Sequence, residues 1–210
     1  MNFPTNNTSF NINSNNIQNN NINNNIQQTA IVNLHAKLFE NARFFIIKSS
    51  NMENIDISQQ MNEWSTTQTN ERKLVDAYSQ GDVILIFSAN KSGVFQGYAI
   101  MTSFISDTKS PHWNNESQVK LGGVFKIQWL SSCVLPLSKV KNINNPMNYG
   151  ESVANSRDTT EVTKDIGILL CNLCYEQEKC DLMYKSKPPC FDIENLTSVI
   201  EKIKKSKEGK

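Results

Sequence analysis

The chain has 210 residues, with 21 basic and 20 acidic side chains, so its formal charge is only +1. Binding of nucleic acid through bulk positive charge is therefore not expected, and any phosphate contact has to come from a local cluster. There is no apolar run of 18 residues and no basic segment followed by an apolar one, which argues against a membrane span and a signal peptide. Five cysteines without a dense framework are typical of reduced thiols in the cytosol or nucleus.

Composition divides the chain into four parts. Residues 1–28 contain thirteen Asn and no charged side chain, which predicts disorder because too little apolar surface is available to offset the entropy of ordering. Residues 29–40 form an N-terminal extension whose apolar spacing predicts a short helix. Residues 41–176 form the main domain, and residues 177–210 a C-terminal extension with an amphipathic, Lys-rich helix.

Apolar runs and helical spacing predict the elements of the main domain and of the C-terminal extension. The first half contains a strand over Arg43–Ser49, a helix from Ile55 toward Met61 capped by Asn54, a helix over Glu71–Ser79 with Leu74, Val75 and Tyr78 inward, and a strand over Val83–Ser88. The second half contains a turn over Ala89–Gly93, a strand over Val94–Ser103 with a bulge at Gly97, a strand over Gly123–Ser132, a helix from Thr163 or Asp165 through Leu173, and a helix around Ile193–Ile203. This pattern predicts a mixed α/β domain with a curled, partly antiparallel sheet.

The residues that could carry chemistry form no catalytic pattern. No nucleophile, P-loop or zinc-protease motif occurs, so we predict that the protein is not an enzyme. Cys171 and Cys174 have C-x-x-C spacing, and Cys180 and Cys190 follow, which leaves a zinc site as an alternative. The simpler interpretation is a pair of buried thiols on an apolar helix, and we expect no cofactor.

The three tryptophans differ in their surroundings. Trp129 lies among apolar residues of a predicted strand and is expected to belong to the core. Trp64 and Trp113 are embedded in polar sequence, MNEWSTT and SPHWNNES, at or beyond the end of a regular element. Such an indole is better explained as the wall of a pocket than as core, although it could also fold back onto the core as a lid.

Six stretches together resemble a known family. They are Ala42–Ser49 (ARFFIIKS), Trp64–Thr66 (WST), Val83–Ser88 with the following GVFQG, His112–Trp113, Leu121–Trp129 (LGGVFKIQW) and Asn155–Asp158 (NSRD). In their order and spacing they resemble the YTH domain, an RNA-binding module that reads N6-methyladenosine. LGGVFKI and the His-Trp pair resemble most the nuclear-type and polyadenylation-factor-associated members.

The resemblance implies both a fold and a binding site. The fold is α/β, a twisted, barrel-like mixed sheet of about six strands flanked by helices, similar to PUA-like readers of modified bases. Trp64, Trp113 and Leu121 match the three walls of the cage that receives the methylated base. The third wall is Trp or Tyr in many members, so a leucine there gives up one methyl–π face.

The resemblance also assigns polar contacts. For the base edge it implies the backbone carbonyl of Ser65, the backbone N–H of Ser50 and the side chain of Asn54. For the RNA backbone it implies Lys48 and Arg157, with Asp158 orienting Arg157 or contacting a ribose or base. Without the resemblance, Arg157 and Asp158 would be interpreted as a surface ion pair of little consequence.

We therefore expect a non-catalytic reader that binds single-stranded RNA containing N6-methyladenosine. It would act in mRNA processing or 3′-end formation in the nucleus, with the polyadenylation machinery as a candidate partner and the cytoplasm as the alternative location. Two other functions stay open at this point. One is a PUA-like reader of another modified base, and the other is a zinc or protein-interaction module with a degenerate cage.

Overall fold

The computed structural model describes residues 37–109, 111–112, 120–184 and 193–208. The predicted disordered segment 1–28, most of the extension 29–40, and Trp113 lie outside the described residues. The regular elements all belong to one compact unit that spans Leu38–Lys210.

The first half of this unit holds four strands and two helices. They are β1 (Ala42–Ser49), α1 (Met52–Met61), β2 (Glu63–Thr67), α2 (Gln68–Gln80), β3 (Asp82–Ala89) and β4 (Val94–Met101). The second half holds β5 (Leu121–Pro136), the short β6 (Asn144–Asn145) and β7 (Glu151–Ser152), β8 (Thr160–Val162), α3 (Lys164–Tyr184) and α4 (Ile193–Glu208). Short 3-10 turns separate β5, β6, β7 and β8.

Six of the strands form one mixed sheet in the order β2-β5-β4-β3-β1-β8. Neighbours are antiparallel except β1 and β3, which run parallel from Ala42 opposite Asp82 to Ser49 opposite Ala89. The carboxyl ends of these two parallel strands therefore meet at one edge of the sheet. The predicted mixed α/β fold with a six-stranded curled sheet is confirmed.

Both faces of the central strands are covered, which explains their continuous apolar sequence. On one face, side chains of β1, β3 and β5 pack with Ile55 of α1 and with Leu74 and Tyr78 of α2. On the other face α3 packs against β1, β4 and β5, with Leu170 buried. Within the described part of the chain, none of the helices has both the length and the apolar character of a transmembrane segment.

The predicted bulge at Gly97 is confirmed. Pairing between β4 and β5 is irregular between Phe95 and Gly97, and Gly97 has φ +125°. A β-carbon at Gly97 would collide with the carbonyl oxygen of Ser131 on β5. Only glycine allows the two backbones to approach this closely in that conformation.

Two details of the predicted helices are wrong. α1 begins at Met52, and its cap is Asn51, whose side chain accepts a hydrogen bond from the Asn54 backbone N–H at 2.9 Å, so Asn54 is not the cap. Val75 is exposed rather than inward, and Ala77 is buried in its place. The reason is the helical period. Leu74, Ala77 and Tyr78 are spaced by three and four residues and form one buried stripe, and Val75 lies outside it.

The helix predicted around Ile193–Ile203 is present as α4. Val199 and Ile203 are buried. Near its end, Lys207 lies over the Tyr78 ring and pairs with Asp82 at 2.8 Å. α4 thus packs where α2 ends and β3 begins, away from the carboxyl ends of β1 and β3.

Candidate nucleic-acid interface

Trp64 lies within strand β2, not in a polar loop, so that part of the sequence interpretation is wrong. Its backbone pairs with Phe125 of β5, and its side chain is only 5 % exposed. The indole packs edge-on against Phe87, with ring centroids 5.0 Å apart. Its polar neighbours misled the sequence interpretation because they too are enclosed by the fold, where Ser65 is buried and Glu63 pairs with Lys126. This environment agrees with the alternative interpretation, in which the indole folds back onto the core.

Leu121 stands at the start of β5, beside the end of β2. It pairs with Thr67, whereas Val124 pairs with Ser65, so β5 uses one more residue than β2 between these two pairs. The extra residue makes a bulge that contains Gly122 and Gly123. Leu121 is partly buried and packs against the same apolar cluster as Trp64. Two of the three predicted walls are therefore held by one strand pair.

Two side chains form hydrogen bonds to the backbone of this bulge, Ser65 from β2 and Glu71 from α2. The Ser65 hydroxyl donates to the carbonyl oxygens of Gly122 and Gly123, at 3.3 and 3.1 Å. The Glu71 carboxylate accepts from the Gly123 backbone N–H at 2.5 Å. A β-carbon at Gly122 would collide with this carboxylate, and one at Gly123 would collide with the Ser106 carbonyl oxygen, so each glycine allows a different close approach.

Sequence reasoning missed Glu71. The only local signal was the paired glycine in LGGVFKI, since a glycine inside a strand indicates a bulge or a close approach. The approaching group comes from the first turn of α2, 52 residues earlier. No local pattern connects those two positions.

The chain that precedes β5 is hydrogen-bonded to Val124, next to the same bulge. The Ser106 backbone N–H donates to the Val124 carbonyl, and the Val124 N–H donates to the Thr108 carbonyl, at 2.9 and 3.0 Å. Leu121 begins β5 three residues before Val124, which is about 10 Å of strand. The stretch between Thr108 and Leu121 therefore leaves from and returns to one end of β5. Trp113 belongs to this stretch and lies outside the described residues.

Polar side chains gather where β1 ends and α1 begins. Ser50 is exposed, and its hydroxyl accepts from the Asn54 side-chain amide at 2.9 Å. Asn51 caps α1 through the Asn54 backbone, as described above. The structure thus brings together Ser50 and Asn54, two residues that the resemblance assigns to the base edge.

Lys48 lies at the end of β1, partly buried. Its ammonium group donates to the Ser88 hydroxyl at 3.0 Å and lies 5.9 Å from the centre of the Phe95 ring. Burial lowers the pKa of Lys48, and the negative charge of Asp158 opposes that shift. The Lys48 ammonium group is partly desolvated, and its close hydrogen-bond partner is a neutral hydroxyl. Its positive charge is therefore available to pair with a phosphate.

Asp158 is anchored to two elements of the fold. Its carboxylate accepts from the Lys48 backbone N–H and from the Asn70 side-chain amide, both at 2.8 Å. Burial raises the pKa of Asp158, and these hydrogen bonds partly offset the shift. The prediction that Asp158 orients Arg157 is wrong, as is the surface ion pair. The carboxylate turns inward to satisfy backbone and amide donors, while Arg157 is exposed.

The thiols that left a zinc site open are buried in the core. Cys171 and Cys174 on α3 and Cys133 on β5 are free and buried. Burial raises the pKa of the Cys171 thiol well above its usual value, which disfavours the thiolate that zinc requires. Among the described residues no group of His, Cys, Asp and Glu is arranged to hold a metal ion, and Cys190 lies outside them. The buried-thiol interpretation therefore describes Cys171 and Cys174.

Comparison with known proteins gives curated relatives in plants and yeast. The chain is 39 % identical over 144 residues to the 30-kDa cleavage and polyadenylation specificity factor 30 of Arabidopsis thaliana, which covers 67 % of this chain and 23 % of that protein. It is 34 % identical over 157 residues to methylated RNA-binding protein 1 of Saccharomyces cerevisiae, 72 % of this chain and 51 % of that one. The aligned part thus spans less than a quarter of the length of the Arabidopsis relative.

Solved structures share the fold. The Toxoplasma CPSF4 YTH domain in complex with a 7-mer m6A-modified RNA is 39 % identical, with a TM-score of 0.61, and the match covers 65 % of this chain and 92 % of that domain. The family described as the YT521-B-like domain matches residues 42–175, from the first residue of β1 into α3. With the six-stranded sheet and its flanking helices in place, this match shows that the chain belongs to the YTH domain family.

Proposed function

We propose that residues 41–176 bind single-stranded RNA containing N6-methyladenosine and hold the flipped methylated base between Trp64, Trp113 and Leu121. The observation that carries the proposal is the similarity to the Toxoplasma domain, which was solved with a 7-mer m6A-modified RNA. YTH domains are RNA-binding readers, and we propose that this one performs no catalysis.

The chemistry of the base supports an apolar slot. N6-methyladenine is neutral, so its recognition relies on stacking and on burial of the methyl group rather than on cation–π attraction. Burial of one carbon stabilises by about 0.8 kcal/mol from area alone. A slot that fits the methyl group and leaves a void around adenine raises this to roughly 1.5–3 kcal/mol. The resulting preference for the methylated RNA is on the order of tenfold to a hundredfold.

The positions of Trp64 and Leu121 support a cage beside the end of β2. Trp64 is backed by Phe87, which fixes the plane of the indole, and Leu121 stands across the bulge on β5. Ser106 and Thr108, which precede Trp113 in the chain, are bonded to Val124 beside this bulge. Because Trp64 is only 5 % exposed, the side chains that cover it shift when the base enters.

The polar groups at the end of β1 and in β2 suit the edge of an adenine. A base that leaves solvent needs partners for its ring nitrogens and its N6–H. We assign the N6–H to the backbone carbonyl of Ser65 and the ring nitrogens to the Ser50 N–H and the Asn54 side chain. The hydrogen bond between Asn54 and Ser50 holds these two residues together where β1 ends and α1 begins.

Lys48 and Arg157 are the proposed phosphate contacts. The Lys48 ammonium group is hydrogen-bonded to Ser88, and burial, which removes part of its solvation, lowers its pKa. A phosphate bound there would compensate for the lost solvation of the charge. Arg157 is exposed, and the adjacent Asp158 ties this part of the chain to β1 and α2. Asp158 therefore links the chain next to Arg157 to the end of β1 that carries Lys48. A direct contact of its carboxylate to ribose or base stays a prediction.

We place the protein in the nucleus, in mRNA processing or 3′-end formation. Support comes from the Arabidopsis relative, which carries cleavage and polyadenylation in its name. The polyadenylation machinery is the proposed protein partner. We further propose that residues 1–28 and 29–40 and the C-terminal extension 177–210 flank this RNA-binding domain.

The test is a titration of one oligonucleotide with and without the N6-methyl group. We expect tenfold to a hundredfold tighter binding of the methylated RNA. Trp113→Ala should abolish the difference, and so should Trp64→Ala, provided that its thermal unfolding shows a folded domain, since Trp64 packs in the core. Equal affinity of the wild-type protein for both oligonucleotides would refute the proposal.

A further inference from the structure

Helix α4 lies outside residues 42–175, the part of the chain that matches the family. It is nevertheless docked on the domain, because Val199 and Ile203 are buried, with 1 % and 5 % of their surfaces exposed. Lys207 follows Ile203 by four residues, so the two side chains lie on one face of the helix. The effect of α4 on the site therefore depends on which side chains this face contacts.

Lys207 contacts the end of α2 and the start of β3. Its ammonium group pairs with Asp82 at 2.8 Å and lies 5.0 Å from the centre of the Tyr78 ring. The Lys207 side chain is 31 % exposed and that of Asp82 25 %, so water screens this pair only in part. A cation that is shared by an aromatic face and a carboxylate is restricted in position. Lys207 therefore fixes the last turn of α4 over Tyr78.

Tyr78 in turn supports the chain that precedes β5. Its ring is fully buried and packs edge-on against Phe104, with ring centroids 4.7 Å apart. Phe104, Ile105 and Leu121 pack against the same apolar cluster. A methyl carbon of Ile105 lies 3.0 Å from the place that a β-carbon on Gly123 would occupy. The segment that contacts Tyr78 thus lies directly against the bulge of β5.

Two connections run from Tyr78 to this bulge. The first continues from Phe104 to Ser106, whose backbone N–H donates to the Val124 carbonyl at 2.9 Å. The second is α2 itself, because Glu71 in its first turn accepts from the Gly123 N–H. Tyr78 follows Glu71 by seven residues, which is about 10 Å along a helix. A shift of Tyr78 would therefore reach the bulge by both connections.

We propose that Lys207 is a positioning residue for the slot that receives the methyl group. It holds α4 on Tyr78 and thereby keeps residues 104–106 and the bulge of β5 in one arrangement. The proposal rests on the proposed function, since Leu121 beside this bulge is one wall of the proposed cage. A wall that is held in place can fit the methyl group, whereas a loose wall gains only from burial of one carbon. Lys207 therefore acts on the preference for methylated RNA and little on the stacking that both RNAs share.

The first test measures binding of the full chain to matched methylated and unmethylated oligonucleotides. Lys207→Gln removes the charge and should lower the methyl preference by roughly twofold or more, through weaker binding of the methylated RNA. Lys207→Arg keeps a cation for the ring and the carboxylate and should retain the wild-type preference. Lys205→Gln is the matched control, because Lys205 is an exposed lysine in the same last turn of α4.

The second test is hydrogen exchange of the protein without RNA. In Lys207→Gln the amides of Ser106 and Val124 should exchange about threefold faster or more, because both are bonded in the segment that Tyr78 supports. The Lys48 amide, which donates to Asp158, should exchange as in the wild type. Equal acceleration of all three amides would assign Lys207 to global stability and overturn the positioning role.

The binding results separate this proposal from the proposed function. A methyl preference of Lys207→Gln within twofold of the wild type would overturn the positioning role. Equal weakening of both RNAs by Lys207→Gln and Lys205→Gln would also overturn it, since the two lysines would then act directly on phosphates. Absence of any methyl preference in the wild-type protein would overturn the proposed function instead.

Discussion

Replacement of Glu71 by alanine is expected to loosen the proposed cage without substituting any of the cage residues. The Glu71 carboxylate accepts from the Gly123 N–H in the bulge that sets the position of Leu121. Glu71→Ala leaves that N–H without its partner, which costs about 1–3 kcal/mol of unfolding free energy. Glu71→Gln keeps an acceptor oxygen at the same distance and should lose less.

The effect on recognition follows from the same bulge. A fitted slot gives roughly 1.5–3 kcal/mol of preference for the methyl group, whereas simple burial of one carbon gives about 0.8 kcal/mol. Once Leu121 is free to move, the preference should fall from tenfold or more toward about fourfold. Affinity for the unmethylated RNA should change by less than about twofold, because stacking on the indoles does not depend on the fit around the methyl group.

The assay is fluorescence anisotropy with a matched pair of methylated and unmethylated oligonucleotides, together with urea denaturation. Glu53→Ala is the control, because Glu53 is an exposed acidic residue in the first turn of α1, whereas Glu71 occupies the first turn of α2 and is partly buried. The control accounts for the helix dipole and for one negative charge near RNA. A Glu71→Ala protein whose methyl preference stays within twofold of the wild type would show that the carboxylate does not position the wall.

Three further predictions test the site and its scaffold. Lys48→Gln should reduce the slope of log K against log salt concentration by about 0.7, the value for one phosphate contact to single-stranded RNA, and leave the methyl preference unchanged. Burial raises the pKa of Asp158, so its contribution to stability is full below about pH 4 and is lost as pH rises through the raised pKa. The unfolding free energy of the wild type minus that of Asp158→Asn, from urea denaturation between pH 4 and 7, should therefore fall with pH, and a flat difference would contradict the shift. Gly97→Ala should cost at least about 2 kcal/mol, because its β-carbon meets the Ser131 carbonyl, whereas Gly93→Ala, with φ +71° and open space around it, should cost about 1 kcal/mol in thermal denaturation.

The strands of the core could be predicted from local sequence. Val83–Ser88 is apolar without interruption because β3 is covered on both faces, and the observed strand extends that prediction by one residue at each end. The bulge at Gly97 could also be predicted, since a glycine inside an apolar strand indicates a bulge or a close approach of another backbone. In these cases the physical cause and the sequence signal occupy the same few residues.

Trp64 shows where local composition misleads. Its neighbours are polar, yet it lies in the core cluster, because the polar side chains beside it bond within the fold: Glu63 pairs with Lys126, and the Ser65 hydroxyl donates to backbone carbonyls of β5. The family resemblance located this residue as a candidate of the site without predicting its burial. Composition reports the average polarity of a segment and does not show whether its polar side chains reach solvent or bond within the fold.

The parts of the site that sequence could not predict are the ones joined across the chain. Asp158 reaches the backbone of Lys48, 110 residues away, and Glu71 reaches the backbone of Gly123, 52 residues away. Each carboxylate binds a backbone N–H, a group that every residue except proline has, so nothing in the partner's identity reveals the contact. The side chains proposed to touch the base can be found by resemblance, whereas Glu71 and Asp158 can be linked to their backbone partners only when the fold is known. Variants of the indoles would remove the proposed cage itself. Variants of these two carboxylates leave its residues unchanged, and they therefore test whether the cage must be held to the shape of the methyl group.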